Sequence, residues 1–127
     1  MYKSKTESGV EFTADIIKTE KELGRSHSLE IVFIYDSSNE RVIYRNVLCC
    51  AYYGFVERAE ENPREAVKYY SDSCTDRTMN DLVKHIREKL TDADLEQIKL
   101  MVHEHYTDMF HKIRLHEGIK LGRGKRG

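Results

Sequence analysis

The sequence predicts an α+β fold: a three-stranded antiparallel β-meander, then a short helix and an α-helical hairpin, with a basic, disordered C-terminal tail. Three observations carry that expectation. Period-two hydrophobic alternation is confined to the first 53 residues, and a helical period takes over beyond residue 62. The last 17 residues hold six basic side chains against one acidic.

The first strand is predicted at GVEFTADII (9–17). Val10, Phe12, Ala14 and Ile16 fall on one face, and Glu11, Thr13 and Asp15 on the other. KTEKELGRSHS follows as a polar connection, with Gly24 as its turn former. LEIVFIY (29–35) has the β-branched and aromatic composition of a strand covered on at least one face. DSSNE (36–40) is turn chemistry, because these short side chains bond to their own backbone. RVIYRNVLCCAYY (41–53) resumes the strand pattern and turns into the helical half at Gly54.

Asn62-Pro63 reads as a helix start, with Asn as N-cap and Pro at the first helical position; this short helix is expected to run to about Tyr70. In TDRTMNDLVKHIREKL, Met79, Leu82, Val83, Ile86 and Leu90 follow the helical spacing of an amphipathic helix. Thr91 is placed to cap a second long helix, with Asp92 and Asp94 opposing the dipole in its first turn. Leu95, Ile98, Val102, Tyr106, Met109 and Ile113 form its inner stripe, and Gly118 ends it. The expected organisation is therefore one domain over 1–117 and a flexible tail over 118–127.

Composition bounds the class. A chain of 127 residues with 39% hydrophobic and 34% charged side chains can bury a core under a well-solvated surface. Net charge is −1, but residues 53–110 carry −5 and residues 111–127 carry +5. No window reaches the roughly 20 apolar residues that a membrane-spanning helix needs. The start, MYKSKTESGVEF, lacks a signal-peptide apolar run. The three cysteines, Cys49, Cys50 and Cys74, are odd in number and two are adjacent, which favours reduced thiols in a cytoplasm over a disulfide framework.

The stretch CCAYYGFV (49–56) concentrates aromatic and thiol side chains. Tyr53-Gly54-Phe55-Val56, with Val32-Phe33-Ile34 upstream, resembles the paired base-stacking signatures of RNA-recognition motifs. That family needs a helix and a strand between the signatures, whereas residues 35–52 read as a turn and one strand. The longer signature also departs at Ala51, Tyr52 and Arg58, so the fold resemblance fails. Core filling is the favoured reading of these aromatics.

Chemistry has no positive signal. There is no C-x-x-C, no H-E-x-x-H, no G-x-S-x-G and no glycine-rich loop opening a helix. Glu104, Asp108 and His111 share a helical face, but a solvated face is the simpler reading and no metal site is assigned. No catalytic residue and no cofactor are assigned either.

What remains is surface. Tyr52, Tyr53, Phe55, Leu100 and Leu115 are candidate interface residues, since strands apolar on both faces need cover that a small domain lacks. The expected function is a small non-enzymatic regulatory or inhibitory protein working through a protein–protein interface as a homo-oligomer. One alternative is nucleic-acid binding through Lys120, Arg123, Lys125 and Arg126 with sheet tyrosines as stacking partners. Another is a small ligand, such as a nucleotide, held at a subunit interface.

Overall fold

The computed structural model describes residues 1–17, 28–35, 40–47, 50–85 and 89–119. Several expectations lie outside these residues: the Gly24 turn, the turn at 36–39, Cys49, Ile86 and the basic tail from Lys120 onward. Four strands come first: β1 (Tyr2–Lys5), β2 (Glu11–Ile17), β3 (Ser28–Tyr35) and β4 (Glu40–Val47). Three helices follow: α1 (Cys50–Glu61), α2 (Pro63–His85) and α3 (Asp92–His116). The strands form one antiparallel sheet in the order β1-β2-β3-β4. The α+β class, with an antiparallel meander followed by helices, is therefore as the sequence predicts, and β1 adds a strand at its N-terminal edge.

Register separates the two faces. Phe12 pairs with Tyr35, Ala14 with Phe33 and Ile16 with Ile31; Ile31 pairs in turn with Tyr44. These residues, except half-buried Ile16, are buried, and with the helices they make one core cluster. Ile17, Val32 and Ile34 alternate with them, point to the opposite face and lie outside that cluster.

The β1–β2 connection turns at Gly9, whose φ of +90° is the left-handed region. Thr6 is buried there and its Oγ1 accepts from the Val10 amide at 3.1 Å. The same loop reaches the helical layer, because the Glu7 amide donates to the Lys89 carbonyl at 2.9 Å.

The helices differ from expectation in their boundaries. The third predicted strand is present over Glu40–Val47, but CAYY (50–53) does not continue it; α1 begins at Cys50. Phe55 and Ala59 are buried and Tyr52 and Val56 pack beside them, a helical stripe that the aromatic composition masks. Asn62-Pro63 does start a helix. The Glu65 amide donates to Asn62 Oδ1 at 3.2 Å, a side-chain N-cap, and Asn62 Nδ2 donates to Glu65 Oε2 at 3.1 Å, which holds the capping side chain in place. That helix runs on unbroken through Ser71 and Cys74 to His85, so the short helix and the first arm of the hairpin are one element. Its core face is Ala66, Val67, Ser71, Cys74, Thr75, Thr78 and Leu82, which leaves Val83 exposed instead of buried.

α3 matches its expected caps. Thr91 Oγ1 accepts from the Asp94 amide at 3.1 Å, and Asp94 Oδ2 accepts from the Thr91 amide at 3.2 Å. At the far end Ile119 N–H donates to Arg114 O at 2.8 Å and Gly118 N–H to Leu115 O at 3.1 Å. With Gly118 at φ +75° and Ile119 buried, this is a Schellman motif with its hydrophobic contact.

Candidate functional site

The α1–α2 hairpin carries the most distinctive surface. A single residue, Asn62, separates the helices, so they fold back sharply on one another. Gly54 makes the close approach possible: a Cβ there would lie 2.5 Å from the Tyr70 hydroxyl. Tyr70 in turn meets Phe55 edge-on at 6.0 Å, and Phe55 packs on Phe110 at 4.6 Å.

The two helices also carry exposed groups. Tyr53 is 58% and Tyr69 49% exposed, large fractions for aromatic side chains. The Arg58 guanidinium sits 4.7 Å from the centre of the Tyr69 ring, while its NH2 group lies 3.6 Å from Glu65. A groove of about 340 Å³ runs beside them, lined by Gly54, Glu57, Arg58, Glu61 and Tyr70. The surface thus combines tyrosine and arginine held in place by neighbours, the residue types most enriched where protein interfaces concentrate their energy.

Three of the sequence-predicted interface residues lie on α1, and two of them, Tyr52 and Tyr53, stack edge-on at 5.4 Å. Tyr52 is half-buried and its hydroxyl donates to the Glu117 carboxylate, tying α1 to the end of α3. That hydrogen bond, with partial burial, pushes the phenol up to about 12. Phe55 is a correction: it is fully buried under Phe110 and belongs to the core. Leu100 and Leu115 are exposed on α3, at 56% and 64%. Fifteen residues of helix separate them, about 22 Å, so they form no shared patch.

Sheet tyrosines do not supply a stacking platform among the described residues. Tyr52 and Tyr53 are helical, while Tyr35 and Tyr44 are buried toward the helices. Tyr2 also faces that way and donates to Asp94 at 2.6 Å. Lys120, Arg123, Lys125 and Arg126 lie outside the described residues.

Polar clusters elsewhere are structural in character. Asp94 is buried and accepts from the hydroxyls of Tyr2 and Ser4, which pins β1 to the start of α3. Burial opposes its charge, but the Ser4, Tyr2 and Thr91 hydrogen bonds outweigh it and hold the carboxyl below its ordinary range. Between α2 and α3, Thr78 and Tyr106 share a buried hydrogen bond of 2.8 Å, and His103 Nε2 meets Asp72 Oδ1 at 2.8 Å. Cys74 is a free thiol in the core; burial pushes it up to about 11, far from a reactive thiolate. Among the described residues no three His, Cys, Asp or Glu side chains are placed to hold a metal ion, and no helix is long and apolar enough to cross a membrane.

Arg58 and Tyr69 were not legible as partners in the sequence, because ten residues and a helix corner lie between them. The readable signal is Asn62-Pro63: a helix start directly after a helical stripe folds the two segments together. Comparison with protein-family models, with curated proteins and with solved structures gives no match.

Proposed function

We propose that this protein is a small non-enzymatic regulatory or inhibitory protein that acts by docking the α1–α2 hairpin onto a protein partner. The observation that carries this reading is the Arg58 guanidinium stacked at 4.7 Å on an exposed Tyr69. An aromatic ring and a guanidinium held against each other lose little side-chain freedom on binding, so more of their contact energy is retained. The acidic groove beside them, with Glu57 and Glu61 one turn apart, favours a partner presenting basic side chains.

The test is affinity recovery of the tagged full chain from its host, with stoichiometry measured, for the native protein and for Tyr53→Ala with Tyr69→Ala. A defined protein at integer stoichiometry, lost or weakened at least about tenfold in the double variant, is the expected outcome. Recovery of nucleic acid with no protein partner overturns the reading.

A further inference from the structure

We propose that the basic segment 120–126 of this chain docks on the exposed outer face of its own α1 and covers that face until a partner displaces it. Tyr53, Glu57, Glu60 and Glu61 recur at i, i+4, i+7 and i+8, so they share one side of the helix, and all four are exposed. Buried Phe55 and Ala59 fix the opposite side toward the core. Arg58, the one basic residue of α1, is turned to α2, where it lies over Tyr69 and pairs with Glu65. The outer face therefore carries charge of a single sign beside an exposed aromatic ring. Glu57 and Glu61 form no ion pair among the described residues.

Position, reach and charge commit the face to that occupant. Ile119 is buried; its amide donates to the Arg114 carbonyl, and its own carbonyl accepts from Arg114 Nη1, both at 2.8 Å. Two residues earlier, Glu117 accepts from the Tyr52 hydroxyl, and the Tyr52 ring meets that of Tyr53 at 5.4 Å. Residue 120 thus follows a point anchored beside the first turn of α1, at the Tyr53 end of the acidic face. Residues 120–126 hold Lys120, Arg123, Lys125 and Arg126 and no acidic side chain. At about 3.3 Å per residue they reach about 23 Å when extended. The face from Tyr53 to Glu61 is about 12 Å long at about 1.5 Å per helical residue, so the segment spans it with length to spare. A tether this short gives an effective concentration in the millimolar range, at which individually weak contacts are populated. Lysine and arginine on the carboxylates, with a guanidinium over the Tyr53 ring, are contacts of that kind.

Competition between the segment and a basic partner rests on the hairpin reading; the contact itself does not. The test is carbodiimide coupling of the purified full chain, dilute and without partner, followed by peptide mapping of the monomer. Lys120 and Lys125 are expected to join Glu57, Glu60 or Glu61 within one chain, with a yield at least about fivefold lower in about 0.5 M salt. Glu57→Lys with Glu61→Lys is expected to lower coupling to Glu60 at least about fivefold. Adding Lys120→Glu, Arg123→Glu, Lys125→Glu and Arg126→Glu should restore coupling with the signs exchanged. Coupling spread evenly onto Asp72 and Asp76 of α2, coupling only between two chains, or yields indifferent to the exchanges overturn the inference. The four segment substitutions alone are expected to raise recovery of the partner at least about threefold. Unchanged recovery of a partner that still depends on Tyr53 and Tyr69 overturns the competition and leaves the hairpin reading standing.

Discussion

Asp94 does the work of two structural devices with one carboxylate. It closes the capping box of α3 and holds the hydroxyls of Tyr2 and Ser4 on the edge strand. Replacement by Ala leaves two hydroxyls without their charged acceptor and opens the Thr91 N–H half of the capping box, at a cost of about 3 kcal/mol, read by denaturant unfolding. The pH dependence follows from the depressed carboxyl. Its stabilisation is fully present above the unfolded value, about 3.9, and is lost as pH falls through the lower folded value. Asp94→Asn should therefore flatten the acid limb of a stability profile, and an unchanged limb would show that other carboxylates govern it. Gly54 gives a second test at this scale. Ala has the better helix propensity, yet its Cβ would press on the Tyr70 phenol from 2.5 Å. Gly54→Ala is expected to lower the melting temperature, and adding Tyr70→Phe to recover part of the loss. A cycle with no coupling between the two positions would refute the contact.

At the scale of elements, the C-terminal stop of α3 shows how much one backbone conformation can hold. Gly118 adopts φ +75° with open space around its Cβ position, so Gly118→Ala incurs conformational strain alone, about 1 kcal/mol. Thermal unfolding measures it, and a variant as stable as the native chain would mean the motif is not rigidly held. This stop was legible in the sequence, as were the Thr91 cap, the Asn62-Pro63 start and strands β2 and β3, because each rests on local chemistry. α1 was not. Tyr52, Tyr53 and Phe55 have strand-like composition and follow a strand directly, and Gly54 resembles a turn until Tyr70 is seen lying against it. The unbroken run of α2 was hidden for a related reason. Ser71, Thr75 and Thr78 are polar and break the apolar stripe, but all three are buried, and Thr78 shares a hydrogen bond with Tyr106 of α3. Tertiary packing, which no local pattern encodes, decides both cases. The candidate surface was half legible: Tyr52 and Tyr53 could be named from the sequence, whereas Arg58 over Tyr69 required the hairpin.

For the molecule as a whole, the sheet and the helical layer share one core but are joined unevenly at their margins. β3 is central, paired on both sides, and carries the fully buried Phe33 and Tyr35. β1 has four residues and one strand neighbour, and its hold on the helices is the Tyr2 and Ser4 pair at Asp94. A strand so placed opens by local fluctuation more readily than a central one, because few buried contacts oppose it. Native-state hydrogen exchange should therefore rank the β1 amides well below those of β3 and of α3 around Val102. Asp94→Ala is expected to speed the β1 amides at least about tenfold, because the contacts it removes are ones that opening β1 must break. A β1 that opens on its own exposes little surface, so its exchange should depend only weakly on denaturant. If β1 exchange instead carries the full denaturant dependence of the β3 amides, the sheet opens as one cooperative unit and the Asp94 contacts are no separate hinge between the layers.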